Sequence, residues 1–199
     1  MRQKKPKKGR EVQIPELPLV EAELKRIRYQ WRYGQVLRST IYSLIVVAAM
    51  AVLVATIWLP VLRIYGSSMT PTLNEGEIVV TVKGGGIHTG DVTGLYVGNR
   101  LLVKRIIAGP GQWVNITEDG TVFVDGEELD EPYIEDKAMG DCNIELPYQV
   151  PDGRFFVMGD HRSTSVDSRH STVGCIADEE IVGRIVFRVW PLRQFGRLE

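Results

Sequence analysis

The stretch Ile64-Tyr65-Gly66-Ser67-Ser68-Met69-Thr70-Pro71-Thr72-Leu73 begins just past a long uncharged run. It places two serine hydroxyls, a φ-permissive Gly66 and a φ-restricting Pro71 where the chain would leave a membrane. By composition alone this is a turn, because Gly, Ser, Thr and Pro each favour turns for local reasons. A serine hydroxyl stays chemically inert until a base takes its proton. Whether Ser67 or Ser68 does chemistry therefore depends on a base elsewhere in the chain.

The run before it is the first landmark. Residues 39–62 carry no charged side chain, and 41–59 are almost continuously apolar. At about 1.5 Å per helical residue, such a stretch covers roughly the 30 Å hydrocarbon core of a bilayer. Tyr42 and Trp58 stand near its two ends, where aromatic residues favour the membrane interface. Arg26, Arg28, Arg32 and Arg38 precede it, which predicts a cytoplasmic N-terminus and an exported remainder. A cleavable signal peptide fits poorly: the apolar run is too long, begins too late and lacks a small-x-small site after it. An uncleaved anchor is expected.

Charge supports the same division. The 199 residues sum to a formal net charge of -1. Residues 1–38 nevertheless hold eleven Lys/Arg against four Asp/Glu, and residues 63–199 hold thirteen against twenty-one. The expected parts are a cytoplasmic basic tail (1–38), a transmembrane anchor helix (39–62) and an extracytoplasmic β-rich domain (63–199). The arm at 1–10 suits anionic headgroups, or equally a solvated, disordered end. Pro15 and Pro18 interrupt the next stretch. Residues 21–38 then predict a short helix running into the span, with Leu24, Ile27, Trp31 and Gln35 on one face. An acidic folded part argues against nucleic acid as a partner.

Beyond Pro60 the pattern changes to β. Apolar and β-branched runs at 78–82, 91–97, 101–107, 113–117, 121–124, 155–158 and 181–189 are separated by glycine turns. Asp125-Gly126 is a strong hairpin signal, and Glu118-Asp119-Gly120 marks another turn. No helix longer than two turns is expected after residue 62. The fold class is therefore mostly β: an N-terminal transmembrane helix followed by an antiparallel sheet domain, a sandwich or coiled barrel. Cys142 and Cys175 both fall in the part expected on the oxidising side. A disulfide is permitted there, and a buried free thiol is equally reasonable.

The search for a base narrows quickly. His88 lies in the Gly84-Gly85-Gly86 loop region, where a lone histidine is usually a surface residue. Residues 66–70 lack the second glycine of an α/β-hydrolase elbow, and no helix follows. Lys104 alone among the lysines sits inside an apolar strand, Leu101-Leu102-Val103-Lys104-Arg105-Ile106-Ile107. Period-2 alternation puts it on one face with Leu102 and Ile106. A lysine there costs several kcal/mol unless it neutralises or snorkels to the sheet edge. To act near neutral pH its pKa must fall well below about 10.4, a change on the order of 4 kcal/mol that desolvation can supply. A third stretch, Gly159-Asp160-His161-Arg162-Ser163-Thr164-Ser165-Val166-Asp167-Ser168-Arg169, can cross-brace itself through charge-assisted bonds while a serine satisfies a neighbouring amine. Asp160, His161, Asp167 and His170 lack the further ligand that would complete a metal site.

Together these stretches resemble the bacterial type I signal peptidases, membrane-anchored serine proteases with a serine–lysine dyad. Ser68-Met69-Thr70-Pro71-Thr72-Leu73 resembles their Ser-Met-x-Pro-Thr-Leu motif. Lys104-Arg105 with Gly109-Pro110-Gly111 resembles their lysine motif. The stretch from Gly159 to Arg169 resembles Gly-Asp-x-Arg-x-x-Ser-x-Asp-Ser-Arg. The resemblance implies Ser68 as nucleophile and Lys104 as general base. It implies support from Ser165, which orients the amine, and from Asp160, Asp167 and Arg169, which brace the loop. Leu62, Ile64, Met69, Leu73, Leu102 and Val103 align with the family's substrate pockets, which accept small residues at -1 and -3. No cofactor and no metal are implied. The partners implied are signal peptides of exported preproteins, the lipid bilayer and proximity to the export translocon.

Gly66 stands where some members carry a serine, Gln112 replaces an acid, and His161 replaces an asparagine. The single span and small exported domain match the Gram-positive type. Two rival classes share parts of this pattern. A self-cleaving repressor-like switch would need a DNA-binding domain where the tail and span stand. An inactive membrane-tethered binding module would keep the fold without turnover.

Overall fold

The structure, a computed structural model, describes residues 16–198. The basic arm at 1–10 and Pro15 lie outside these residues. The chain falls into two compact units that divide after Leu53, and each is described by itself.

The first unit is helical. Helix α1 runs Leu17–Trp58 without interruption, about 63 Å at 1.5 Å per residue. The short helix expected at 21–38 and the span are thus one element. Pro18 falls in the first turn, where its missing N–H would have had no intrahelical partner. No side chain of α1 is buried, and its apolar part is long enough to cross a membrane. The Thr40 hydroxyl donates back to the Val36 carbonyl at 2.9 Å, so its polar atom is satisfied within the helix.

The helix stops at Trp58 because Pro60 cannot donate a helical hydrogen bond and biases Leu59 away from the helical region. The last residues of the uncharged run are accordingly not helical. Val61–Arg63 forms strand β1, with Leu62 paired to Val79.

The second unit is antiparallel β. After β1 come β2 (Ile78–Val82), β3 (Val92–Val97), β4 (Arg100–Ala108), β5 (Trp113–Ile116) and β6 (Val122–Val124). They are followed by β7 (Glu127–Glu128), β8 (Tyr148–Gln149), β9 (Arg154–Met158), β10 (Ile176–Ala177), β11 (Ile181–Trp190) and β12 (Gly196–Arg197). The larger sheet runs β1-β2-β11-β3-β4-β9-β10, with β12 on β11; the smaller runs β7-β6-β5-β8. Among the described residues after α1 the only helices are single 3-10 turns at Asp178–Glu180 and Leu192–Gln194.

All seven apolar runs read from the sequence became strands. At the β6–β7 hairpin Asp125 and Gly126 take φ of 53° and 86°, as a type I′ turn requires. At the β5–β6 turn the Asp119 carboxylate accepts from the Thr117 hydroxyl and the Thr121 N–H. Gly120 has φ 88°, and a Cβ there would collide with the Ala138 backbone.

One apolar cluster gathers residues from both sheets, with Ile107, Val114, Val122, Val150, Phe156 and Met158 at its centre. A second, holding Leu62, Ile64, Met69, Leu73, Val79, Val92 and Ile185, lies under the serine turn. Cys142 and Cys175 are free thiols. Burial beside Tyr148 pushes the Cys175 thiol up to about 11.

Phe156 is fully buried in the first cluster. Phe156→Ala should destabilise this unit by about 3–5 kcal/mol, the cost of lost transfer energy plus a cavity. Urea unfolding of the full chain in detergent micelles, followed by tryptophan fluorescence, measures it.

Candidate active site

Ser68 sits in a tight turn that leaves the end of β1. The Thr70 N–H and hydroxyl both donate to the Ser67 carbonyl, at 3.1 and 2.9 Å, and Leu73 N–H donates to the Met69 carbonyl at 2.8 Å. Met69 and Leu73 drop into the apolar cluster below and pin the turn. Ser67 is left exposed and Ser68 half-buried. The Ser68 hydroxyl and N–H make no hydrogen bond among the described residues.

Lys104 lies in the middle of β4, paired with Thr93. Sheet alternation would have put Arg105 on a solvent face, yet Lys104 and Arg105 are each only 3% exposed. Both faces of β4 are covered at this point, so period 2 no longer sorts inside from outside. The Lys104 amine donates to Ser165 Oγ at 2.8 Å, and Ser165 Oγ donates to Asp167 Oδ2 at 2.7 Å. An ionised carboxylate only accepts, so the direction of this chain is fixed and the amine lone pair is left uncommitted.

Asp167 is held in turn by Arg169 Nε and Nη2, each at 2.8 Å, and by the Gly159 N–H at 3.0 Å. Burial alone would raise the Asp167 carboxyl. The Arg169 bond and charge, with Ser165 and Gly159, outweigh it and hold the group below the usual carboxylate range.

The neighbouring charges are paired off as well. Arg105 grips Asp160 bidentately at 2.9 and 2.7 Å, and Thr72 of the serine turn donates to the same carboxylate. The Tyr133 ring stacks 3.6 Å from the Arg105 guanidinium. Arg162, fully buried, bonds the Gly159 carbonyl at 3.1 Å and forks onto Glu131, which also accepts from the Tyr133 hydroxyl. Asp160, Asp167 and Glu131 thus each have an arginine, and Lys104 has no ion-pair partner among the described residues. Burial is the largest influence on Lys104 and lowers its pKa from 10.5; Asp167 and Asp160 pull it up, and Arg169 pushes it down.

The turn and the network meet at Gly159. A Cβ there would run into both Ser165 Oγ and the Ser68 carbonyl oxygen, so only glycine lets them approach this closely. The His161 N–H donates to that Ser68 carbonyl at 3.1 Å, and His161 Nδ1 lies 3.1 Å from the Thr70 hydroxyl. Gln112 bonds Gly109 N–H at 2.8 Å and Asp125 at 2.9 Å, a turn-bracing role away from Lys104.

Beside Ser68 runs a cleft of about 60 Å³ lined by Leu62, Ile64, Met69, Leu102 and Val103, with Gly66 and Tyr65 at its rim. Five of the six residues expected to line a substrate pocket are therefore there. Leu73 is not: it is fully buried behind Met69, because the turn points its side chain into the core. Ser68, Lys104, Ser165, Asp160, Asp167 and Arg169 are gathered around Gly159. Sequence alone missed Glu131 and Tyr133. They lie in an irregular stretch with no periodicity, and the pair of unmatched buried arginines was the only hint of them.

Comparison with known proteins points to one family. The family described as signal peptidase, peptidase S26, matches residues 37–190. Signal peptidase IB of Staphylococcus aureus (strain COL) is 37% identical over 152 residues, 66% of this chain and 78% of that protein. Signal peptidase I of Bacillus amyloliquefaciens is 33% identical over 189 residues, 87% of this chain and 93% of that protein. A crystal structure of a signal peptidase I from Enterococcus faecalis V583 aligns at 24% identity and a TM-score of 0.41, covering 50% of this chain and 97% of that one. With a family match over most of its length, the chain belongs to the signal peptidase family of serine proteases, in its Gram-positive type.

Proposed function

We propose that the chain removes signal peptides from exported preproteins with Ser68 as nucleophile and Lys104 as general base, cleaving after small residues at -1 and -3. The observation that carries this is the state of Lys104: buried, unpaired with any carboxylate among the described residues, and hydrogen-bonded to Ser165 as a donor. Such an amine is uncharged at lower pH than an ordinary lysine, which is what a base for a serine hydroxyl needs.

The steps follow from the groups in place. Neutral Lys104 takes the Ser68 proton as the oxygen attacks the carbonyl carbon of the -1 residue. The Ser68 N–H, free of acceptors among the described residues, faces the developing oxyanion. Gly66, at φ 79°, contributes backbone but no side chain there. The tetrahedral intermediate collapses, the C–N bond breaks, and the lysine ammonium gives its proton to the departing amine. Water, deprotonated by the same lysine, then hydrolyses the acyl-enzyme. In free enzymes the nucleophile–base bond is often long and closes on substrate, consistent with the unbonded Ser68 hydroxyl. Ser165 holds the amine by accepting one of its N–H groups, which leaves the lone pair free for the Ser68 proton.

The substrate adds as an extended strand between residues 62–66 and the start of β4, placing small side chains over Leu62, Ile64, Met69, Leu102 and Val103. The N-terminus is cytoplasmic and the β unit lies outside, near the export translocon. The parts are the tail 1–38, the anchor 39–62 with its last residues in β1, and the peptidase domain. Support for a lipid partner comes from β1, the end of β11 and the 3-10 turn that follows it. There Val61, Trp190, Leu192 and Phe195 are exposed, and residues 184–198 hold arginines but no carboxylate.

Ser68→Ala and Lys104→Met should each abolish processing of a purified preprotein, while Ser67→Ala should retain most of it; the fraction processed on a gel decides. Persistent cleavage by the lysine variant would refute the assignment. The rate should rise with pH as Lys104 loses its proton, through a midpoint below the ordinary lysine value, because burial disfavours the ammonium. Ser165→Ala should cut kcat/KM roughly tenfold to a hundredfold through loss of orientation. A pH–rate profile of both enzymes with a peptide substrate measures these effects.

A further inference from the structure

Gly94 is the one residue of β3 without a side chain, and its backbone does not demand glycine, since its φ lies outside the left-handed region. What forbids a side chain is a neighbour. A Cβ at Gly94 would come within 2.8 Å of Leu62 Cδ1 and 3.9 Å of Thr81 Cγ2 and Val182 Cβ. Leu62 belongs to β1, at the far edge of the same sheet. The tip of its side chain stands beside the space Gly94 leaves empty. Gly94 pairs in register with Val103, which lines the small cleft from the other side.

Leu62 has little other freedom. Met69, Leu73, Val79 and Ile185, all nearly or fully buried, fill the core side of its cluster. It lines the 60 Å³ cleft beside Ser68 and also a larger one of about 710 Å³ that continues past Val82, Ile87 and Val182. Pushed from behind, its methyl tip can yield only toward these clefts. The clash is with the end of a flexible side chain rather than with backbone, so an alanine at 94 is accommodated by moving Leu62.

We infer that Gly94 is a positioning residue for substrate selection: by making room for Leu62, it sets how large a side chain the cleft accepts three residues before the scissile bond. This rests on the proposed use of the cleft as the substrate groove. In an extended peptide the -1 and -3 side chains share a face about 6.6 Å apart, the same interval that separates Ile64 from Leu62 along β1. Ile64 is nearer the nucleophile turn, so its end takes -1 and the Leu62 end takes -3.

The test uses the full-length enzyme in detergent micelles and peptides with Ala at -1 and Ala or Val at -3. Gly94→Ala should lower kcat/KM for the Val peptide about tenfold more than for the Ala peptide, the scale of one or two methyl groups in a closed pocket. Adding Leu62→Val to Gly94→Ala should restore the ratio. Discrimination between Ala and Ser at -1 should not move. Leu62→Ala with Gly94 intact enlarges the same space without crowding and should admit Leu at -3, a readout that survives poor folding of Gly94→Ala. An unchanged Val/Ala ratio in Gly94→Ala, an equal shift at -1, or no gain for a peptide with Leu at -3 in Leu62→Ala would each overturn the inference. Cleavage of the Ala peptide by the unaltered enzyme, and its loss in Ser68→Ala, report separately on the function itself.

Discussion

An amine kept from water without a counterion is the constraint on which the rest of this fold depends. Burying a lysine costs several kcal/mol if it stays charged, and a carboxylate beside it would remove that cost by keeping it charged. The structure avoids the second outcome by giving each nearby acid its own arginine. Asp167 is committed to Arg169, Asp160 to Arg105, and Glu131 to Arg162. What remains for Lys104 is a neutral hydroxyl, Ser165. A serine at that point is informative chemistry. It accepts one N–H of the amine and donates its own O–H to Asp167, so the acid is coupled to the lysine without pairing with it.

The same pairs do a second job, which is to fix two loops on either side of β4. Asp160 reaches Thr72 in the serine turn, and Arg162 holds the carbonyl of Gly159 against which Ser68 and Ser165 close. Arg169 runs on to the Met139 carbonyl at 2.7 Å, and Gly140 has no room for a Cβ against Arg162 and Arg169. The irregular segment 129–143 is thus ordered by buried arginines rather than by a ladder of backbone bonds. Loss of one partner would leave a buried charge uncompensated, far costlier than loss of an exposed ion pair.

Much of this was legible in the chain. The strands at 78–82 and 101–107 announce themselves through β-branched residues bounded by glycine, and Asp125-Gly126 fixes a hairpin by its φ requirement alone. Lys104 stood out because it alone among the lysines sits inside an apolar strand. The errors have physical reasons. Leu62 was read as the end of an apolar span because composition does not distinguish lipid from a strand's core face, and only Pro60 marked the break. Leu73 was assigned to a pocket by motif position, although a turn can point one motif residue at the substrate and the next into the core. The two- and three-residue strands β7, β8, β10 and β12 are too short for alternation to register. Glu131 and Tyr133 act across more than twenty residues of sequence, and such pairing leaves no local pattern.

The buried lysine also sets a limit on how stable this unit can be. Its folded pKa lies below its unfolded one, so across the interval between them the unfolded chain binds more protons and folding is opposed. Stability therefore rises with pH through that interval and is lower beneath it. Asp167 works in the opposite sense, contributing stability above its unfolded pKa that is lost as pH falls through its depressed folded value. The two groups are joined through one hydroxyl, so the acid that steadies the loop offsets part of what the base costs. A methionine at position 104 would fill the same strand at no electrostatic cost, so packing alone does not account for an amine there.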